Sequence, residues 1–193
     1  MKRLLPLLVL AVLASTASAY MAEEETLLDE DDTWNMYTKI GPSLSDIGKD
    51  NGFWGTLEVG SILNNKLALG VRASTLLQGV SAGFDGYSDP DKFDIFYGGL
   101  NADYTWHAEK MWHSSLAFFV GGGQLRLNRT GNGEDDVGMF VVEPTVNFMV
   151  NLSPRSEIGL GLGYRYTDIN DAALDDADLS GLVGSLFLRL TNN

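Results

Sequence analysis

The feature that most constrains the fold is a series of eight short segments in which apolar and polar residues alternate. Gly, Asn and Asp separate the segments, a pattern typical of strands and turns rather than of helices. Alternation with a period of two predicts β-strands that have one apolar and one polar face. The predicted strands are residues 33–41, 52–63, 66–77, 92–107, 111–126, 137–152, 157–167 and 179–191.

The connections between these strands alternate strictly between long, acidic segments and tight turns. The long connections are residues 42–51, 78–91, 127–136 and 168–178, and the short ones are 64–65, 108–110 and 153–156. Asn64-Asn65 suits a two-residue hairpin turn with positive φ. An even number of antiparallel strands, with long loops on one rim and tight turns on the other, is the arrangement of a transmembrane barrel. We therefore predict an all-β fold, an eight-stranded antiparallel up-and-down transmembrane β-barrel with both chain ends on the tight-turn side.

The two faces of the predicted strands differ in chemistry, and the aromatic residues indicate which face points outward. In strand 157–167 one face carries Ile, Leu and Tyr, and the other carries Gly, Glu, Arg and Thr. A soluble lipocalin-like barrel has the same period. Aromatic side chains at both ends of the apolar face, however, are typical of a barrel in a bilayer, where the rings lie at the headgroup level. The predicted girdles are Trp34, Trp106 and Trp112 near the tight turns, and Phe53, Tyr164 and Tyr166 near the long loops.

The polar face carries charged residues on most strands. They are Lys39, Glu58, Arg72, Asp103, Glu143, Arg165 and Arg189. If this face lines the interior, four cations and three anions share a lumen that eight strands make just wide enough for side chains to fill. Buried charges persist when they are partnered. We therefore expect an ion-pair network that closes the lumen, and the alternative is a gated or transient pore lined by the same residues.

Two strands depart from strict alternation toward the long-loop rim. In strand 111–126 the apolar positions shift after Gly121-Gly122-Gly123, which predicts a β-bulge at these glycines. In strand 92–107, Phe93 and Ile95 break the pattern that the later apolar residues set. Both irregularities lie where strands of a membrane barrel can project beyond the bilayer.

The N-terminal residues have the three parts of a secretory signal peptide. Lys2 and Arg3 precede an apolar run over residues 4–13, and Ala17-Ser18-Ala19 forms the small-residue cleavage site. The run is shorter than the roughly 20 residues that a spanning helix needs. We assign residues 1–19 to a signal peptide, 20–32 to an acidic flexible N-terminal segment and 33–193 to the barrel domain.

The charge of the chain excludes some classes of partner and chemistry. The 13 basic residues face 26 acidic ones, and removal of Lys2 and Arg3 with the signal peptide changes the net charge from −13 to −15. Such a charge disfavours a nucleic-acid partner. Because the chain has no Cys, it has no disulfide, no thiolate metal site and no Cys nucleophile.

Residues 158–169 carry a family resemblance. Their sequence, IGLGLGYRYTDI, resembles the last hairpin of the opacity-like and OmpA-like eight-stranded outer-membrane β-barrel family of Gram-negative bacteria. The strand that contains Gly121-Gly122-Gly123 is similar to the glycine-rich strands of that family. The resemblance implies a barrel in the outer membrane, with its loops facing outward.

Some small barrels of this kind are lipid A deacylases or acyltransferases that use His, Ser and an acid. His113-Ser114-Ser115 resembles the deacylase motif, but Leu116 replaces the expected Asn and His113 lies beside a tight turn, far from an outer-leaflet substrate. We therefore expect no catalytic residues, no metal site and no cofactor, and we expect His107 and His113 at the membrane interface.

Half of the acidic residues, 13 of 26, lie in the four long connections. They predict solvated surface loops, or divalent-cation sites that bridge to lipopolysaccharide. We expect a monomer whose partners are outer-membrane lipids and lipopolysaccharide, with a non-enzymatic role in envelope integrity or surface interaction. The alternatives are a small channel or lateral-diffusion transporter, and a lipid A-modifying enzyme.

Overall fold

The structure, a computed structural model, describes residues 33–47, 50–77, 93–129, 133–169 and 179–192. The predicted signal peptide (1–19) and acidic segment (20–32) lie outside the described residues, as do the connection 78–91 and most of 168–178.

Eight antiparallel strands form one closed barrel, in which each strand pairs with its neighbours in sequence and β8 pairs with β1. The strands are β1 (Trp34–Ile47), β2 (Asp50–Leu63), β3 (Leu67–Leu76), β4 (Phe93–Trp106), β5 (Trp112–Arg129), β6 (Gly133–Ser153), β7 (Ser156–Ile169) and β8 (Gly181–Asn192). The predicted eight-stranded up-and-down barrel is confirmed. The first residues of β1 and the last of β8 lie together at the end of the barrel that carries the tight turns.

Within the described ranges, no helix is long and apolar enough to cross a membrane.

The tight turn between β2 and β3 has the predicted geometry. Asn64 and Asn65 both have positive φ, 50° and 57°. The backbone N–H of Lys66 donates to the carbonyl oxygen of Leu63 at 2.9 Å. Asn tolerates the left-handed region better than most residues, so this pair reverses the chain with little strain.

Two of the four predicted long connections are wrong, because the strands continue through them. β1 and β2 stay in register as far as Ile47 and Asp50, and β5 and β6 as far as Arg129 and Gly133. In β1 the continuation keeps the alternation: Ser43, Ser45 and Ile47 are buried inside the barrel. Small polar residues that suggest a loop can equally line a polar interior, since the backbone ladder satisfies the main chain in either case.

The predicted β-bulge at Gly121-Gly122-Gly123 is also wrong. Pairing with β4 and with β6 runs through these glycines without a shift, and the one irregularity in the described ladders lies between Asn151 and Ser153. The side chain of Leu125 points into the barrel like that of Phe119, and Ile95 points inward like Tyr97. The apolar pattern changes there because the interior itself becomes apolar, while the strands stay regular.

The glycines at this level permit a close approach between strands. A Cβ on Gly121 would lie 2.3 Å from the carbonyl oxygen of Gly98 and 2.6 Å from Cζ of Phe119. These glycines therefore make room for the Phe119 ring in the barrel interior.

Candidate functional site: the closed interior of the barrel

The interior has an apolar layer toward the end of the barrel where the long connections leave, here called the loop end. The opposite end, with the tight turns, is called the turn end. The apolar layer consists of Ile47, Trp54, Ile95, Tyr97, Phe119, Leu125, Val137, Met139, Val141, Ile169 and Leu179, all buried. The Tyr97 ring makes edge-to-face contacts with both Trp54 and Phe119, each with ring centroids 5.6 Å apart. Side chains therefore fill this end of the lumen, as eight strands allow.

Glu143 of β6 is the centre of the charged layer beneath. Its Oε1 lies 2.9 Å from Nη2 of Arg72, and its Oε2 accepts a hydrogen bond from Nε of Arg165 at 3.1 Å. Arg165 also donates to Oγ of Ser45 at 3.0 Å and to the Tyr97 hydroxyl at 2.8 Å. All five side chains are buried, so one carboxylate forms ion pairs with two guanidinium groups where little water screens them.

A second buried carboxylate, Glu58 of β2, is held mainly by neutral groups. Its Oε1 accepts hydrogen bonds from the Tyr37 hydroxyl at 2.5 Å and from the Asn101 amide at 3.0 Å. Nearby, Nζ of Lys39 lies 3.6 Å from a carboxylate oxygen of Asp103. These pairs connect β1, β2 and β4 across the lumen.

Nearer the turn end, Arg189 of β8 forms an ion pair with Glu157 of β7. His113 of β5 lies on the other side of this carboxylate, with Nε2 3.8 Å from Oε1. Sequence reasoning missed Glu157, although its place on the polar face of strand 157–167 was the available signal. The expected interfacial position of His113 is wrong, because its parity is opposite to that of Trp112 and its side chain is buried in the lumen.

The structure thus brings all seven charged residues singled out in the sequence inside one barrel. With Glu157 included, the interior of the described ranges holds four cations, Lys39, Arg72, Arg165 and Arg189, and four anions, Glu58, Asp103, Glu143 and Glu157. The formal charges cancel, although the chain as a whole carries −13. Charge balance is what a low-dielectric interior requires.

Cations also stack on aromatic rings, which joins the charged layer to the apolar side chains around it. The Arg72 guanidinium lies 3.9 Å from the centroid of the Phe119 ring. Arg165 lies 4.4 Å from the Trp54 ring, and Nζ of Lys39 lies 4.1 Å from the Phe187 ring. Such contacts add favourable energy where water is excluded.

The free space between these side chains is small. The cavity bounded by Lys39, Glu58, Arg72 and Glu143 has a volume of about 40 Å³. It has room for a few water molecules.

The six predicted girdle residues, Trp34, Phe53, Trp106, Trp112, Tyr164 and Tyr166, all lie on the outer surface, with exposed fractions between 37% and 68%. Exposed Leu, Ile, Val and Phe side chains cover the surface between the two groups of rings. In the described ranges, no group of three or more His, Asp or Glu side chains is arranged to hold a metal ion. The acidic residues expected to bind divalent cations lie mostly outside the described residues.

No protein-family model matches the chain, and no curated protein matches its sequence. Several solved structures are similar to this chain in fold. Neisserial surface protein A is 13% identical with a TM-score of 0.58 over 83% of this chain and 99% of that one. The N-terminal β-barrel domain of Pseudomonas aeruginosa OprF is 9% identical, with a TM-score of 0.56 over 81% and 97% of the two chains.

The attachment invasion locus protein Ail of Yersinia pestis, solved with the heparin analogue sucrose octasulfate, is 13% identical with a TM-score of 0.51 over 83% and 96% of the two chains. At these identities the likeness concerns the fold alone. The chain therefore has the fold of eight-stranded outer-membrane β-barrels, and the narrower resemblance to the opacity-like and OmpA-like family stays a prediction.

Proposed function

We propose that this protein is a non-enzymatic outer-membrane barrel of a Gram-negative bacterium, whose lumen is closed by the charged layer and the apolar layer. Its acidic loops face the medium, and it acts in envelope integrity or surface interaction. The observation that carries the proposal is the arrangement of charge: four cations and four anions lie inside the barrel, where all but Glu58 form ion pairs, while the outer surface is apolar. A soluble barrel would have the opposite arrangement.

The outer surface supports a membrane location. Exposed large apolar residues occur on every strand, for example Leu100 at 64% and Leu162 at 63% exposed. Charged residues that point outward in the described strands, such as Asp46, Asp94, Arg126 and Asp168, lie at the loop end. An apolar band bordered by aromatic rings, with charges only beyond it, matches the cross-section of a bilayer.

Membrane fractionation of cells that express the full chain tests the location. A folded barrel is expected in the outer-membrane fraction, with a gel mobility that changes on boiling. Purified protein is then placed in planar bilayers, where the closed lumen predicts no steady conductance. Recovery from the periplasm as a soluble protein would overturn the location, and a steady ion current from wild-type protein would overturn the closed lumen.

The geometry disfavours lipid A chemistry. His113, the histidine of the motif His113-Ser114-Ser115, is buried at the turn end beside Glu157, and Ser114 points to the outer surface of that same end. A general base must reach the proton that it abstracts, and the outer leaflet lies at the opposite end. We expect unchanged lipid A in cells that express the protein, and a modified species in its mass spectrum would contradict this.

The charge of the loops limits what the surface can bind. Residues 42–51, 78–91, 127–136 and 168–178, which are loops or strand ends at the loop end, carry 13 acidic residues. Like charges repel, so a sulfated ligand such as the sucrose octasulfate bound to the Yersinia protein is disfavoured. Divalent cations and, through them, lipopolysaccharide phosphates are the favoured partners. Addition of Ca²⁺ is expected to raise the midpoint of thermal unfolding, and EDTA to reverse the shift; no change in either direction would remove this partner class.

A second candidate, lateral passage of small apolar solutes, is favoured by the β1–β8 seam. Ile40 pairs with Leu188, and the next pair is Ser43 with Ser185. Gly41 and Pro42, which lie between them on β1, have no paired residues on β8. Pro has no N–H to donate to a ladder. Gly41 and Pro42 border both the interior cavity and an apolar groove of about 600 Å³ on the outer surface.

A disulfide lock tests this candidate in a chain that has no native Cys. Ser43→Cys with Ser185→Cys would close the seam, and Thr56→Cys with Ser74→Cys would lock the fully paired β2 and β3 as the matched control. If the seam opens, oxidation lowers uptake of a small apolar fluorescent dye by intact cells only in the seam variant. Equal uptake by oxidised and reduced cells would exclude the lateral route.

A further inference from the structure

We propose that the outer surface of β4, β5 and β6 at the turn end holds a binding site for an anionic glycerophospholipid of the inner leaflet, with its phosphate at the 107–111 turn. The inference rests on the proposed membrane location of the barrel. It concerns a site on the opposite side of the wall from the paired charges of the lumen.

The apolar part of the site is a groove with a small residue at its floor. Ser114 of β5 pairs with Trp106 of β4 on one side and with Phe148 of β6 on the other. Trp112 lies on the same outer face, two residues nearer the turn. Because three large rings surround one short side chain, a depression of about 330 Å³ remains between them. Its walls suit the glycerol and upper acyl chains of a lipid, since rings of this kind settle at the bilayer interface.

The polar part of the site is the turn that closes the groove. His107 and Lys110 both border the depression. The Lys110 ammonium makes no ion pair with any residue in the described ranges. A cation beside an apolar groove at the membrane edge is complementary to a phosphate diester whose chains enter the bilayer.

The turn is held in place by the neighbouring strand, which prepares the site. The backbone N–H of Lys110 donates to the carbonyl oxygen of His107 at 2.9 Å, and His107 has a positive φ of 56°. The side-chain amide of Asn151 in β6 donates to the carbonyl oxygen of Lys110 at 3.0 Å. The backbone N–H of Asn151 donates to the carbonyl oxygen of Met111, also at 3.0 Å. A turn fixed before binding loses little entropy when a ligand arrives.

The distribution of charge between the two ends favours an anion at this end. The long connections at the loop end are acidic, whereas each tight turn carries one basic residue: Lys66, Lys110 and Arg155. The turn of Lys110 also carries an acid, Glu109, which does not line the groove. Among these turns, the aromatic groove adjoins only Lys110. Lys66 therefore provides a matched control with the same charge, at the same end, but without the groove.

Native mass spectrometry of the folded barrel tests the proposal. The barrel is extracted from vesicles of phosphatidylglycerol and phosphatidylcholine, and the lipid that stays bound is identified. We expect wild-type protein to retain phosphatidylglycerol. Removing one basic residue near a membrane surface weakens anionic-lipid binding about fivefold, so Lys110→Gln is expected to retain about fivefold less. Ser114→Leu should also retain less because it fills the groove, whereas Lys66→Gln should match wild type and Lys110→Arg should restore retention.

Several results would overturn the proposal. One is equal retention by wild type and Lys110→Gln, and another is an equal loss in Lys66→Gln, which would indicate general attraction to the rim. Release of the lipid by millimolar inorganic phosphate would show a free-anion site instead. Heat-dependent gel mobility is measured on every variant, so loss of the barrel is distinguished from loss of the lipid. Wild-type protein that fails to enter the membrane would remove the proposed function itself.

Discussion

Replacement of Glu143 by Leu should destabilise the barrel more than any other single change in the charged layer. The carboxylate binds Arg72 at 2.9 Å and Arg165 at 3.1 Å, and both guanidinium groups are buried. A hydrogen bond to a charged group contributes about 1.5 to 3 kcal/mol. Arg165 loses this hydrogen bond and Arg72 loses its ion-pair partner, so Glu143→Leu is expected to lower the free energy of unfolding by about 3 to 6 kcal/mol. That range agrees with the roughly 3 to 5 kcal/mol known for breaking a buried ion pair.

The assay is urea unfolding of the barrel from lipid vesicles, followed by tryptophan fluorescence and by heat-dependent gel mobility. Trp54 lies 4.4 Å from Arg165 and therefore reports directly on the charged layer. Glu157→Leu is the matched control, because that carboxylate binds Arg189 at the turn end with 17% of its side chain exposed. Glu157→Leu leaves one buried arginine, Arg189, without its carboxylate, whereas Glu143→Leu leaves two, so the control should cost less. If Glu143→Leu costs less than about 1 kcal/mol, or no more than Glu157→Leu, the network does not hold the lumen closed.

Three further changes test other parts of the structure by the same unfolding measurement. Leu160→Arg, at the bilayer midplane, should lower the free energy of unfolding by about 2 to 4 kcal/mol, and Leu152→Arg, beside a tight turn, by less than about 1 kcal/mol. Equal costs would contradict the proposed membrane placement. Gly41→Ala should destabilise by about 1 to 3 kcal/mol, since its Cβ would lie 2.0 Å from the Leu186 carbonyl oxygen, whereas Gly184→Ala meets nothing within 4 Å and should be neutral. Phe119→Ala should cost about 3 to 5 kcal/mol and add conductance in planar bilayers, and a silent, stable variant would refute the role of the apolar layer.

Much of the architecture follows from local sequence pattern. A period of two assigns each side chain to a face, so the inward positions of Glu58, Arg72, Glu143 and Arg165 could be predicted from parity alone. Asn64-Asn65 identified a tight turn because few other residues accept positive φ. Predictions that used residue type instead of the alternation were less accurate, especially for where a strand ends. Ser43 and Ser45 suggested a loop, yet they line the interior of a longer strand.

The candidate site could be predicted only in outline. That one carboxylate, Glu143, would contact both Arg72 and Arg165 could not be predicted, because Arg72 lies on β3, which is not a neighbour of β6 or β7 and contacts them only across the lumen. Glu157 was left out of the charged set for a different reason: its side chain lies on the polar face, but its pairing with Arg189 depends on the register between the neighbouring strands β7 and β8. The β-bulge was predicted at Gly121 because the interior changes there from polar to apolar. In the sequence, this change looks like a shift of the alternation by one residue.

The sequence by itself determined that the chain forms eight antiparallel strands and which side chains share a face, because strand geometry alternates side chains whatever the surroundings. The tertiary structure alone decided how far each strand runs, which charges pair, and that the lumen is filled. These depend on closure of the barrel, which brings residues from distant strands within about 3 to 4 Å. Distances of that kind are fixed by register and packing, and no local pattern of residues contains them.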